Sequence, residues 1–368
     1  MNFRLGELFN GAGGLTLGAI SAQVSKNGEN YSIVPTWAND YDTDACSTYQ
    51  LNIGSKYSEK VICRDVAKLE MDKLPSIDAL AFGFPCNDFS AVGEQKGVNG
   101  SFGHLYQYCI KALKHFQPMW FLAENVGGLR NANDGQALKV ILRELTGAGY
   151  NIVPNLYKFE NYAVPQSRHR IIIVGIRKDI SHVFKIPAEL ESPRITCREA
   201  LENPPIPQDA SNQEYTKQAK QVVERLTYIK EGENVFTAHL PEHLKLKVNG
   251  AKISQIYKRL DPNKPAYTVT SSGGGGTHMY HWKENRALTN RERARLQTFP
   301  DNFVFCGSKE SVRRQIGMAV PPKGAQVVFE AILKTFANIE YKSVQPNMAH
   351  VLNTSAQTRL MEPQQIII

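Results

Sequence analysis

The chain has 368 residues, a formal net charge of +8, 42% hydrophobic residues and 21% charged ones. That is the make-up of a globular protein with one large core or two smaller ones. It contains no apolar run of bilayer-spanning length, and the start MNFRLGELFNGAGG lacks the features of a secretory signal, so a cytoplasmic protein without membrane contact is expected. The six cysteines are scattered with no C-x-x-C pair, which argues against a zinc site and a disulfide framework. No metal is expected. The charge is uneven: residues 1–150 hold 13 Lys and Arg against 15 Asp and Glu, and the remainder hold 30 against 20. A near-neutral first part suits a small molecule, and a basic second part suits a polyanion.

The first 177 residues alternate strand-like and helix-like patterns. Strands are predicted at Phe3–Phe9, Ile33–Ala38, Val61–Arg64, Ile77–Phe82, Trp120–Ala123, Ile152–Phe159 and Arg170–Ile176. Helices are predicted at Leu15–Ala22, Thr43–Leu51, Leu105–Phe116 and Gly135–Ala148. This alternation implies a mostly parallel sheet covered on both faces, closed at one edge by a hairpin from the last two strands. After about Lys178 prolines punctuate a polar, basic stretch that includes SSGGGGTHMYHW (271–282), too glycine-rich for a regular element. Helical periodicity returns at 289–299, with Thr289 as N-cap, and at 323–339. The tail from about Ser343 is polar and unpatterned.

Chemistry-bearing residues fall where predicted strands end. ELFNGAGGLTLG runs a strand into a glycine-rich turn and a helix, and no Gly-Lys-Ser/Thr follows to make a phosphate-cradling loop. Asp40 ends the second strand and Asp65 the third, placed as dinucleotide folds place acids that accept from ribose hydroxyls. Cys86 follows the fourth strand and Glu124 ends the fifth. An acid at the end of an apolar strand is rarely there for packing. A cysteine in such a loop is either a small buried hydrophobe or, with a lowered pKa, a nucleophile. Arg168 and Arg170, two apart on a predicted strand, should face one side.

The ordered segments LFNGAGG, GFPCNDFS, ENV, QSRHR, RERARLQTFPDNF and QIGMAVPP resemble the DNA (cytosine-5)-methyltransferase family, from Phe3 to about Ile339. The resemblance implies an α/β, Rossmann-like sheet with a smaller loop-rich target-recognition domain. It implies S-adenosyl-L-methionine as cofactor, held by Phe9, Gly11, Ala12, Gly13, Gly14, Asp40, Tyr41, Asp65, Val66, Leu105, Met318 and Val320. Cys86 would be the nucleophile, aimed by Pro85, with Glu124 against the ring nitrogen and Arg170, helped by Arg168, on the carbonyl oxygen of a flipped-out base. Double-stranded DNA would be met by Ser90, Gln166, Thr268, Ser271, Gly273, Gly274, Gly275, Gly276 and His278.

The domain division it implies is 1–180 plus 315–342 for catalysis, 181–285 for target recognition, 286–314 as hinge, and 343–368 as a tail of unassigned role. The compact size resembles prokaryotic members paired with a restriction endonuclease, acting as monomers. An RNA substrate, or a non-catalytic DNA-binding protein on the same scaffold, are the alternatives. Three positions depart from the common family pattern: Asn87 for glutamine, Asp40 for glutamate and Met318 for asparagine. NPPI (203–206) lacks the aromatic of the amino-methylating enzymes and reads as a turn. His239 and His243 have no third ligand in view and read as surface residues.

Overall fold

The computed structural model describes residues 1–57, 60–84, 105–246, 254–349 and 351, side chains of 133 and 134 excepted. Pro85, Cys86, Asn87 and Ser90 therefore lie outside the described residues. The strands of the main sheet are β1 (Asn2–Leu8), β2 (Gln23–Lys26), β3 (Glu29–Asp40), β4 (Lys60–Cys63), β5 (Ala79–Phe82), β6 (Trp120–Val126), β7 (Tyr150–Lys158) and β9 (His169–Arg177), with the short β8 (Gln166–Ser167) outside it. Their order is β2-β3-β1-β5-β6-β9-β7, and β4 also pairs with β3. The strands β4, β3, β1, β5 and β6 run parallel to one another; β2 pairs antiparallel with β3, and β9 antiparallel with both β6 and β7. The expected edge hairpin is present, with β9 lying inside β7.

Every residue of β5 and the first four of β6 are buried, the continuous apolar reading of strands covered on both faces. One face packs against the helices Leu105–Phe116 and Gln136–Gly147, which bury Cys109, Ile110 and Leu113, and Leu138, Ile141, Leu142 and Leu145, at helical spacing. The other packs against Gly14–Ser21 and Pro322–Phe336. The C-terminal helix thus returns to the sheet beside the first one.

One difference is the β2–β3 hairpin. It turns at Asn27 and Gly28, both at positive φ (50° and 81°), the backbone of a two-residue turn that matches strand twist. It lengthens β3 well beyond the Ile33–Ala38 stretch. A second difference lies at the tail. Ser343–Val344 pairs with Ile186–Pro187, and Met348 is buried in the core under the helix Gln136–Gly147. Asn347 grips the backbone of the edge strand β7: its Oδ1 accepts from Leu156 N (2.9 Å), its Nδ2 donates to Leu156 O (2.9 Å), and its own N donates to Asn155 Oδ1 (3.0 Å). One side chain satisfies both polar groups of an edge residue that no strand covers.

Asn347→Ala removes two of these bonds and leaves the Leu156 groups to water. The expected loss is about 1–2 kcal/mol of unfolding free energy, read as a lower urea midpoint with an unchanged slope.

Candidate functional site

Parallel register brings the strand ends together. Leu8 sits opposite Asn39 on one side and Phe82 on the other, and Phe82 sits opposite Ala123. The next residues along each strand, Phe9, Asp40, Gly83 and Glu124, therefore meet at one edge, the position where open α/β sheets hold ligands. All four line a single pocket, together with Gly11, Gly14, Tyr41, Asp42, Gln315, Met318, Ala319 and Val320. Seven predicted cofactor residues (Phe9, Gly11, Gly14, Asp40, Tyr41, Met318 and Val320) share this lining. Met318 sits at its rim, 63% exposed.

The turn after β1 is shaped by close contacts. Phe9 and Gly11 have positive φ, and Gly13 (φ 88°) stands in the left-handed region directly before the helix. A Cβ on Gly14 would lie 2.2 Å from Val320 O, so the helix start and the QIGMAVPP segment touch backbone to backbone. Asp40 accepts from Gly11 N (2.8 Å) and Asp42 N (3.0 Å), which fixes its carboxylate against this turn. Burial raises the Asp40 pKa, and the two backbone donors oppose that shift. The buried Glu7 accepts from Thr16 Oγ1, which in turn accepts from Tyr49 OH (3.0 Å). Asn10 Oδ1 is a buried acceptor with no partner.

The remaining predicted cofactor residues lie around the pocket without lining it. Val66 is buried in one cluster with Phe9 and Leu105 packed against it. Asp65 is exposed and caps a short turn through Ala67 N (2.9 Å). Ala12 packs in a separate cluster, and Gly13 faces Tyr49 and Ile53.

Glu124 ends β6 inside the protein and pairs with Arg170 of β9 across the sheet: Nε lies 2.8 Å from Oε1, and both side chains are 12% exposed. Burial raises the Glu124 pKa; the charges of Arg170 and Arg168 and the Arg170 hydrogen bond oppose that shift. The carboxyl group is thereby brought nearer to holding a proton than an exposed glutamate would be. The next residue, Asn125, donates to Phe84 O (3.2 Å), which ties the end of β6 to the segment entering the cysteine loop.

Arg168 lies near enough to Arg170 and Glu124 for their charges to act on one another, but its hydrogen bonds go to backbone. It is 1% exposed and donates through Nη1 to Val269 O (2.9 Å) and through Nη2 to Gly317 O (2.9 Å) and Ala319 O (2.8 Å). The chain changes partner at this point: β9 pairs with β7 only to His169, while Gln166–Ser167 pairs with Ala266–Tyr267. Gln166 and His278, expected at DNA, are buried instead. Gln166 is fully enclosed and bonds to Leu296 O, Gln297 Oε1 and Val269 N. His278 is 7% exposed, its pKa lowered to about 4 by burial and by the nearby Arg293 and Arg313.

The glycine-rich loop presents Ser271, Gly274 and Gly275 to solvent. Gly273 rests on Arg313, whose Nη2 donates to Gly273 O (3.0 Å); a Cβ there would fall 2.2 Å from the guanidinium. Gly276 is half-buried against Tyr257 and Ile256. Thr268 lines a cleft with Arg170, Ser167, His169 and Arg130, next to the Glu124–Arg170 pair. The burial of Arg293, Gln297 and Arg313 had no signal in the sequence, because polar and charged residues at helical spacing read as a solvated face.

A family model described as C-5 cytosine-specific DNA methylase matches residues 3–334. The chain belongs to that family, the DNA (cytosine-5-)-methyltransferases. It is 54% identical to the type II methyltransferase M.BbvI of Brevibacillus brevis, over 94% of both chains. It is 39% identical to the type II methyltransferase M.NgoFVII of Neisseria gonorrhoeae, over 90% of this chain and 87% of that one. Among solved structures it is similar to a DNA modification methyltransferase encoded within an Escherichia coli prophage (TM-score 0.70, 24% identity, 91% of this chain and 99% of that one). The Entamoeba histolytica methyltransferase EhMeth shares the fold at a TM-score of 0.60 and 14% identity, over 92% of this chain and 99% of that one.

Gly14→Ala forces the helix start away from Val320 and opens the floor of the pocket. The expected outcome is a fall of about 2 kcal/mol or more in stability, the scale of overpacking against backbone, read by thermal unfolding.

Proposed function

We propose that the enzyme methylates carbon 5 of cytosine at a short specific site in double-stranded DNA, through a covalent adduct with Cys86, drawing the methyl group from S-adenosyl-L-methionine. The observation that carries this is the buried Glu124–Arg170 pair bordering a pocket suited to a nucleoside. The pocket offers an aromatic face at Phe9, a fixed carboxylate at Asp40 for ribose hydroxyls, and an unpartnered buried acceptor on Asn10. When bound there, the cofactor supplies an electrophilic methyl on a sulfonium. Asp65, Val66, Leu105, Ala12 and Gly13 support the adenine end and the turn.

The flipped cytosine would lie with its ring nitrogen 3 and amine on Glu124 and its carbonyl oxygen on Arg170. Cys86, as thiolate, adds to carbon 6 while the Glu124 carboxyl holds a proton at nitrogen 3, so carbon 5 gains electron density. Carbon 5 would then take the methyl as the methyl–sulfur bond breaks to leave a neutral thioether; loss of the carbon 5 proton to water would re-form the double bond and expel the thiolate. Flipping the base costs about a few kcal/mol of stacking and pairing. Pro85 directs the cysteine, and Ser90, Thr268, Ser271 and Gly273–Gly276 approach the DNA. Residues 181–285 carry target recognition, 286–314 the hinge, and 1–180 with 315–342 the chemistry. The names of the relatives support a role in protecting DNA from a partner restriction endonuclease.

DNA carrying 5-fluorocytosine tests the covalent step, because the fluorine blocks release. With cofactor and the right site, wild type should form an adduct stable to denaturing electrophoresis, and Cys86→Ala none; a wild type that never forms one contradicts the mechanism. Bisulfite sequencing of DNA from expressing cells identifies the site.

Glu124→Gln keeps the hydrogen-bonding shape and removes the exchangeable proton. Its kcat should fall by about 10²–10⁴-fold, the range for a lost acid–base group, with DNA affinity retained in a gel-shift assay.

A further inference from the structure

The pocket's charge is lopsided. Its lining carries four carboxylates, Glu7, Asp40, Asp42 and Glu124, and among the described residues one cation, Arg314. Three of the carboxylates are engaged away from Arg314: Glu7 with Thr16, Asp40 with two backbone amides, and Glu124 with Arg170. Asp42 caps the helix Thr43–Tyr49 by accepting from Asp44 N and Ala45 N through Oδ1. Its other oxygen, Oδ2, accepts from Arg314 Nη2 at 2.8 Å. That bond holds the guanidinium at the pocket wall by one nitrogen. Nη2 also reaches Ser311 Oγ (3.4 Å), and the side chain stays 49% exposed. Nη1 and Nε remain available as donors on the planar fork that suits a carboxylate.

Arg314 stands one helical turn before Met318, on the same face of the helix Lys309–Met318, and both line the pocket. Met318 offers the pocket no polar group. A sulfonium cofactor with an amino-acid arm has one anionic group, its carboxylate. Four acids repel it, and Arg314 is the group that attracts it.

We propose that Arg314 binds the α-carboxylate of the cofactor, with Asp42 holding the guanidinium in place; this rests on the cofactor reading above. Arg314 is then a cofactor-binding residue that the turn after β1 and the strand-end acids do not supply. Its contribution is specific to the amino-acid arm and absent for the nucleoside.

Isothermal titration of the full-length chain with two ligands tests this. S-Adenosylhomocysteine carries the arm, and 5′-methylthioadenosine lacks it. In Arg314→Gln the Kd for S-adenosylhomocysteine should rise about tenfold or more, equal to about 1.4 kcal/mol per tenfold, while that for 5′-methylthioadenosine stays within about twofold. Arg314→Lys, which keeps the charge and loses the fork, should fall between. Unchanged binding of both ligands by Arg314→Gln overturns the assignment and places the carboxylate elsewhere, as at the start of the helix Gly14–Ser21. An equal loss for both, with wild-type thermal stability, also overturns it and puts the effect on the nucleoside end through Asp42. A wild type that binds neither ligand overturns the cofactor reading and this assignment together.

Discussion

The Arg168 guanidinium is the constraint on which the site's assembly depends. Its strand leads into β9, yet its donors reach the carbonyls of Val269, Gly317 and Ala319, from two distant parts of the chain. A fully buried cation is tolerable only where its N–H groups meet acceptors, and burial here lowers its pKa. Three carbonyls converge on it, one of which, Ala319 O, also accepts from Gln297 Nε2 (3.3 Å). The glycine-loop segment, the end of the helix Lys309–Met318 and the start of β9 are thereby held at fixed separation. Gly317 reinforces this, because a Cβ there would lie 2.2 Å from the backbone of Thr270 and Ser271.

That fixed separation sets both sides of the site. Ala319 and Val320 line the pocket behind Phe9 and Asp40, and Thr268, one residue before Val269, lines the cleft beside Arg170. Two residues along the strand from Arg168, Arg170 meets Glu124. One arginine is consumed in holding backbone, and the other is left beside a carboxyl group at the strand end. The two had looked equivalent in QSRHR. Their partners distinguish them, because Arg168 meets carbonyls from segments far along the chain and period-two reasoning has no access to those.

Other features were legible for physical reasons that can be named. The parallel sheet showed in β5 and β6 because strands covered on both faces are apolar throughout. Thr289 was readable as a helix start because its capping box is a local motif: its Oγ1 accepts from Glu292 N, and the Glu292 side chain accepts from Thr289 N. The β2–β3 hairpin was passed over although Asn27–Gly28 is a strong turn signal, since the flanking residues are polar and lack clean alternation. The Asn347 clamp could not be read at all. Its meaning comes from an edge strand almost two hundred positions away. At the site, strand-end acids announced themselves, whereas the inward turn of Gln166 and His278 arises from tertiary packing alone.

The same packing explains why the part of the chain beyond residue 150 is so basic and yet encloses part of its charge. Arg291 and Arg293 are at most 1% exposed, and Arg259 is 3% exposed; each donates mainly to backbone carbonyls of loops. A region with few regular strands leaves many carbonyls without ladder partners, and a five-donor guanidinium satisfies several at once. Arginine count therefore tracks loop content in part, and net charge overstates the charge available to a polyanion. The cations that remain outward include Lys217, Lys220, Lys230, Lys245, Lys264 and Lys283, all of them exposed lysines, whereas the enclosed ones are arginines.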